Sequence, residues 1–253
     1  MGSWFRKYKL ILTLHDLIYY RHPAPPPEFN WLIRMGWRLF HMVYWPQRVF
    51  LNRADAVATV SKTSKRLMLE HRLTKRPISV VYNAAGTFTE DQANRAPKVR
   101  PRSAQRLVYM GSFMDYKNVE VLIDGMKYLP EYELHLLSRI KPERKNELEA
   151  RIQDSFGKVV FHNGVSEDEY HKQLDQSVAL VTGSRDEGFG IPLIESMSRG
   201  VPVVVSDIEI FREIGGDIAL FFNQEDPADF ARQVRKLESN PSWIERGAAS
   251  RKH

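Results

Sequence analysis

Between residues 183 and 195 the chain reads Gly183-Ser184-Arg185-Asp186-Glu187-Gly188-Phe189-Gly190-Ile191-Pro192-Leu193-Ile194-Glu195. Gly188 and Gly190 let backbone N–H groups approach a ligand closely, and Pro192 suits the first turn of a helix. A helix that starts after such a turn is an anion site, because its first amides lack partners and its dipole favours phosphate. Glu187 just before that start and Glu195 just inside it can accept hydrogen bonds from sugar or ribose hydroxyls. Two carboxylates eight residues apart also fit an ordinary N-terminal charge and a surface helix residue, so their spacing leaves both readings open.

Three further segments carry residue types that could serve the same ligand. Gly111 opens a loop that runs to Lys117 and Asn118 before a helix at Val119; a lysine there can neutralise a diphosphate, and Asn118 fits an N-cap. The loop His162-Asn163-Gly164-Val165-Ser166 precedes the acidic helix start Glu167-Asp168-Glu169, which an ordinary capped loop would also explain. Leu10 to Leu14 delivers His15-Asp16, and a lone histidine after a strand is more often structural than catalytic.

All these segments follow short apolar runs rich in β-branched residues, which alternate with helix-period stretches in the rhythm of βαβ units around parallel sheets. In residues 1–89 we expect strands at Lys9 to Leu14, Ala56 to Val60 and Ile78 to Tyr82, one long helix from about Glu28 to Asn52 and another from about Lys62 to His71. Residues 90–103 lose the apolar pattern to Asp91, Gln92, Pro97, Lys98, Arg100 and Arg102 and read as a linker. Residues 104–253 then form a complete series. Its strands are expected near 106–110, 133–137, 158–162, 178–182, 202–206 and 218–222, and its helices near 118–128, 142–153, 167–175, 191–199, 208–213 and after Pro227. The fold class is therefore α/β with two Rossmann-like doubly wound domains, and ligands belong outside the carboxyl ends of the strands.

Composition narrows the setting. The 253 residues include no cysteine, which excludes disulfides and thiolate chemistry and suits a cytoplasmic enzyme. The residues offer no apolar run of the roughly 18 that a membrane span needs, nor the apolar core of a signal peptide at the start. The net charge of +6 is divided: residues 1–99 carry 16 Lys or Arg against 6 Asp or Glu, and residues 100–253 carry 21 against 25. The basic part could attract an anionic lipid headgroup, a phosphorylated acceptor or nucleic acid, or be a solvated surface. Within it, Trp31 to Trp45 mixes aromatics with Arg34 and Arg38, as an interfacial membrane helix or a buried helix with a basic edge would. Zinc-finger spacing and RNA-binding aromatic motifs are both lacking, so nucleic acid is not an expected partner.

The string Asp186-Glu187-Gly188-Phe189-Gly190-Ile191-Pro192-Leu193-Ile194-Glu195-Ser196-Met197 closely resembles the Glu-x7-Glu signature of glycosyltransferase family 4, the retaining GT-B enzymes also grouped as glycosyl transferases group 1. The resemblance implies a nucleotide-sugar site in which Glu187 contacts the donor sugar, Gly188, Phe189, Gly190 and Ile191 serve sugar and phosphate, and Glu195 holds the ribose. Gly111 and Lys117 match the family's Gly-loop-Lys-Asn element, which binds the diphosphate. The arginine that the family often adds in that loop has no counterpart between Gly111 and Lys117, and Arg185 is a substitute candidate. Val165 stands beside the nucleotide base in that pattern, with Ser138 and Arg139 as neighbouring aids. Thr13-Leu14-His15-Asp16-Leu17 resembles the first-domain His-Asp motif, whose histidine faces the donor sugar. Asn83-Ala84-Ala85-Gly86 departs from the family's Asn-Gly-Val-Asp, which weakens any part for that turn in the site.

By this resemblance Glu187, His15 and Lys117 are the expected catalytic residues, no metal and no cofactor are expected, and the donor is a nucleoside diphosphate sugar. A glycan or glycolipid precursor is the expected acceptor. A cytoplasmic protein is the expected setting, with peripheral contact at the inner face of an anionic membrane as an open alternative. The likeness covers about residues 9 to 247 and enters the family pattern partway through. The expected N-terminal domain is thus incomplete, either because the sequence is truncated at both ends or because a partner chain supplies the rest, and an inactive nucleotide-sugar-binding fragment or subunit is the competing reading.

Overall fold

A computed structural model describes residues 7–25, 29–86, 105–152, 157–238 and Glu245. The expected linker at 90–103 lies outside the described residues. The chain divides into two compact units: Met1–Asn83 with Glu187–Phe189, and Ala84–Asp186 with Gly190–His253.

The first unit contains three parallel strands in the order β1-β2-β3, namely β1 (Ile11–Thr13), β2 (Ala56–Thr59) and β3 (Ile78–Val80). Leu12 pairs with Val57, and Ala58 with Ser79. Helices α1 (Ile18–Arg21), α2 (Trp31–His41) and α3 (Trp45–Asn52) separate the first two strands, and α4 (Lys62–Glu70) leads to the third. Leu17, Leu51, Val57, Met68 and Leu73 close a small core.

The single helix expected from about residue 28 to 52 is two helices, and Pro46 explains the break. Pro46 sits in the first turn of α3, where a missing N–H costs nothing; inside a continuous helix it would lose a hydrogen bond and press on the carbonyl four residues back. Asn30 caps α2 by accepting a hydrogen bond from Ile33 N at 2.9 Å. No residue of α2 is buried. Trp37 and His41 face inward onto Tyr19 and Tyr20, whereas Trp31 is 70% exposed and Leu39 59%.

The second unit is a six-stranded parallel sheet in the order β6-β5-β4-β7-β8-β9, built from β4 (Arg106–Tyr109), β5 (Glu133–Leu136), β6 (Lys158–Phe161), β7 (Ala179–Thr182), β8 (Val203–Ser206) and β9 (Leu220–Phe222). Each falls where the sequence places it, to within two residues. The intervening helices are α5 (Val119–Gly125), α6 (Pro142–Ile152), α7 (Glu167–Asp175), α8 (Ile191–Ser198), α9 (Glu209–Gly215) and α10 (Pro227–Arg235). All four residues of β8 are buried, as expected for a central parallel strand covered on both faces. The strand series runs outward in two directions from the β4/β7 pair, where Leu107 lies opposite Ala179 and Val108 opposite Leu180. That reversal is the topological switch point of a doubly wound sheet, where its crevice opens.

Toward the β6 edge, His135 Nδ1 lies 2.9 Å from His162 Nε2, while His135 Nε2 lies 3.1 Å from Glu133 Oε2 and Lys158 donates to the other Glu133 oxygen at 2.8 Å. Two imidazoles in that contact cannot both be cationic. Burial holds both histidines below their ordinary value, outweighing for His135 the opposing pull of Glu133. Below the unfolded histidine value of about 6.5 the unfolded chain therefore binds protons that the folded chain refuses, and stability falls with pH. We expect the melting temperature to drop by a few degrees between pH 7.5 and 5.5. His162→Asn, which keeps a hydrogen-bonding group but does not titrate, should flatten that slope; an unchanged slope would refute the assignment.

Candidate functional site

Two loops leave the sheet at the switch point, one after β4 and one after β7. The β7 loop is fastened from below: Thr182 Oγ1 and Ser184 Oγ are 3.1 Å apart, and Ser206 Oγ donates to the Ser184 carbonyl. Gly190 takes φ = +94°, a left-handed conformation, and a Cβ there would lie 2.9 Å from the Phe211 ring. It is the N-cap of α8. Leu193 N donates to the Gly190 carbonyl at 3.0 Å and Pro192 has no N–H, so the amides of Gly190 and Ile191 are the ones left for a ligand. Ile191 is exposed and Glu195 lies one turn further on the same face.

Glu195 is half-buried. Burial raises its carboxyl above the usual carboxylate range, the Tyr170 hydroxyl and His171 of α7 pull it back, and Glu167 adds to the rise. Tyr170 itself is pushed far above the ordinary phenol value, first by burial and then by the Glu195 charge. Its hydroxyl nonetheless makes no hydrogen bond of acceptable geometry, so the pair are electrostatic neighbours and not a closed bond. Glu187 is partly buried in the β7–α8 loop, Gly188 is buried beside it, and the Phe189 ring is buried.

The β4 loop is shaped by Tyr109. Its buried ring folds back under Gly111, where a Cβ would lie 2.7 Å from the phenol oxygen, and its hydroxyl donates to the Ser112 carbonyl at 2.6 Å. Gly111 N donates to Ser138 Oγ at 3.1 Å, so this glycine secures the loop and its amide is already engaged. Lys117 ends a 3-10 turn at Asp115–Lys117, with its ammonium 5.2 Å from the Tyr116 ring centroid.

Asn118 corrects the sequence expectation. It occupies the N-cap position of α5 but does not cap with its side chain; it adopts φ = 48°, ψ = 47°, and its buried amide donates to the Gly183 carbonyl at 3.1 Å and the Gln224 carbonyl at 2.8 Å. One side chain thus ties together the loops after β4, β7 and β9. Arg185 strengthens the tie, its N–H donating to the Tyr116 carbonyl at 2.8 Å. Its guanidinium, expected to serve a diphosphate, is instead held in two hydrogen bonds to Glu225, at 2.7 and 3.0 Å. Arg185 and Glu225 thus form an ion pair open to solvent.

In the loop after β6, Asn163 (φ = 56°) and Gly164 (φ = 102°) turn the chain. Asn163 Oδ1 accepts from Ile140 N at 3.1 Å, Gly164 N donates to the Leu137 carbonyl at 3.0 Å, and Ser166 caps α7 through Glu169 N. The capped-loop reading is thus present in full, and it leaves Val165 partly exposed beside the loop carrying Ser138 and Arg139. In the first unit His15 follows β1 by two residues and is exposed, its carbonyl accepting from Ser64 Oγ at 3.1 Å, and Asp16 Oδ1 accepts from Ile18 N at 3.0 Å at the start of α1. Among the described residues no group of three His, Asp or Glu side chains could hold a metal ion.

Comparison with known proteins gives the family and the fold. A family model described as glycosyl transferases group 1 matches residues 90–252, and one described as glycosyltransferase family 4 matches residues 2–87. The O-antigen chain mannosyltransferase RfbU of Salmonella typhimurium is 27% identical over 243 residues, a match covering 93% of this chain and 62% of that relative. The chain therefore spans under two thirds of that relative's length. Sucrose-phosphate synthase from Thermosynechococcus elongatus superposes with a TM-score of 0.73 at 18% identity, over 98% of this chain and 63% of its own. Anabaena Alr3699/HepE, solved in complex with UDP and glucose, superposes at 0.67 with 16% identity, over 96% and 66%. The fold is the α/β GT-B type expected from the sequence.

Replacing Asn118 by alanine removes two buried hydrogen bonds, each worth about 1 kcal/mol, and places a Cβ residue without a compensating side chain in the left-handed region, at about 1 kcal/mol more. Urea unfolding should therefore show a loss of about 3 kcal/mol for Asn118→Ala and about 2 kcal/mol for Asn118→Gly, which keeps the backbone conformation. Equal and negligible losses would mean that the three loops are not tied through this residue.

Proposed function

The chain belongs to the glycosyl transferases group 1 family, and from that premise we propose that it transfers a hexose, mannose foremost, from a nucleoside diphosphate donor to a polysaccharide or glycolipid precursor with retention of configuration. The observation that carries this proposal is the pair of loops at the switch point. One brings Lys117, and the other brings unpartnered amides at the start of α8 between Glu187 and Glu195. Mannose is put first because of the 27% identical O-antigen chain mannosyltransferase.

In the proposed reaction the oxygen of an acceptor hydroxyl bonds to the anomeric carbon on the face from which the donor phosphate leaves. The bond between that carbon and the β-phosphate oxygen breaks, a phosphate oxygen takes the hydroxyl proton, and the nucleoside diphosphate departs. Charge grows on the diphosphate during this step, where Lys117 and the Gly190 and Ile191 amides offset it. Glu187 and His15 orient the sugar, Glu195 holds the ribose, and Val165 touches the base. With the charge met by amides and an ammonium, the transfer needs no metal ion.

On the acceptor side we propose that α2 rests on an anionic bilayer. Trp31, Leu32, Met35, Leu39 and Met42 form an exposed apolar stripe flanked by Arg34 and Arg38, the arrangement of a helix lying in a lipid interface. No helix among the described residues is long and apolar enough to cross a membrane.

Release of nucleoside diphosphate from GDP-mannose and UDP-glucose, measured with a lipid-linked glycan acceptor, tests the transfer. Glu187→Ala and Lys117→Ala should each lower kcat by about a hundredfold or more while leaving the melting temperature within about a degree, and EDTA should leave the rate unchanged. Near wild-type rates in both variants would refute the site, and binding without turnover would leave a donor-binding unit only. Flotation with phosphatidylglycerol vesicles should recover the wild-type chain, but neither Trp31→Ser/Leu39→Ser nor a mixture with phosphatidylcholine alone should float; equal flotation in all three would exclude α2 as the contact.

A further inference from the structure

Tyr170 projects from α7, is 5% exposed, and its hydroxyl has no hydrogen-bond partner. Leaving a buried hydroxyl in that state is costly, and native structures seldom do so without a use for the group. The polar group it faces is the carboxyl of Glu195 on α8, with Arg199 also close enough to act on it electrostatically. Glu195 in turn is influenced from α7 by Tyr170, His171 and Glu167. The same helix begins directly after Val165, where Ser166 caps it. One short rigid element therefore carries both the proposed base contact and the phenol beside the proposed ribose carboxylate.

We propose that Tyr170 is a positioning residue that sets ribose specificity, an inference that rests on Glu195 being the ribose-holding group. When a nucleoside diphosphate seats, the phenol donates to one oxygen of Glu195 and fixes the carboxylate plane. The second oxygen is then aimed to accept from the ribose hydroxyls. The bond is unmade in the structure, and a small turn of the Glu195 side chain completes it when the nucleotide seats, as catalytic hydrogen bonds often tighten only in the complex. A deoxyribose would leave the aimed oxygen without its donor and would be rejected.

Isothermal titration of the full chain with UDP and GDP and with their 2′-deoxy and 3′-deoxy forms tests this, comparing wild type with Tyr170→Phe and Glu195→Gln. Wild type should prefer at least one ribonucleotide over a deoxy form by about tenfold, the effect of losing one hydrogen bond to a charged group. Tyr170→Phe should bring that ratio below about threefold while affinity for inorganic pyrophosphate and the ligand-free melting temperature hold or rise, since the deleted hydroxyl had no partner. A Tyr170→Phe chain that keeps the wild-type ratio overturns the inference, and so does one that melts earlier with the ratio intact. If Glu195→Gln abolishes the preference and Tyr170→Phe does not, the donor site stands and only the role of Tyr170 falls. If wild type binds neither UDP nor GDP, the donor site itself falls.

Discussion

The second unit depends on one asymmetry in backbone hydrogen bonding. Six parallel strands satisfy one another along their length, yet at the point where strand order reverses the chain must leave amides unpaired and facing outward. Gly190 makes this possible through its left-handed turn, which starts α8 abruptly and leaves no upstream carbonyl for the next N–H. Pro192 removes one donor that would otherwise need a partner, so the helix begins with few orphan groups and those few are concentrated. An anion arriving there finds donors already oriented and has no internal bonds to break.

The loops that carry those amides and Lys117 are braced by side chains beneath them. Asn118, in the β4 loop, grips one carbonyl after β7 and one after β9, and Tyr109, Ser138 and Gly111 form a second brace beneath the Lys117 loop. Rigid support matters here because a charge-stabilising group works only if it need not reorganise when charge appears. The buried Glu195 carboxyl shows the opposite side of the same constraint: burial raises it, and the groups of α7 decide how much of that rise remains.

The strand series of the second unit was legible because parallel strands buried on both faces read as continuous apolar runs, and Val203 to Val205 is the clearest case. The turn at Gly190 and the helix start after it were legible because a glycine and a proline mark them within a few consecutive residues. Asn118 was misread, since a local rule makes it a cap while its true partners stand 65 and 106 residues away. The pairing of Arg185 with Glu225 was equally hidden, as the two lie 40 residues apart. The break between α2 and α3 was legible in principle: Pro46 stands in the run, but the aromatic periodicity around it masked the interruption. Tyr170 carried no local signal at all, because burial without a partner is a property of packing alone.

Charge distribution adds a further step. Residues 100–253, which hold the switch point, carry 21 basic against 25 acidic side chains, so the unit as a whole does not attract a diphosphate. Screening within about 8 Å at physiological salt removes most of that repulsion, and what remains to act is local: a lysine, a helix start and two amides. Selectivity in the proposed site would come from geometry more than from field, because a bare phosphate would gain only the charge contacts whereas a nucleotide sugar would also have Glu187 and Glu195 to bond. Residues 1–99, with 16 basic against 6 acidic side chains, present the reverse case. An excess of one sign acts on any nearby anion without regard to its detailed shape, whereas the contacts of the β4 and β7 loops act only at close range.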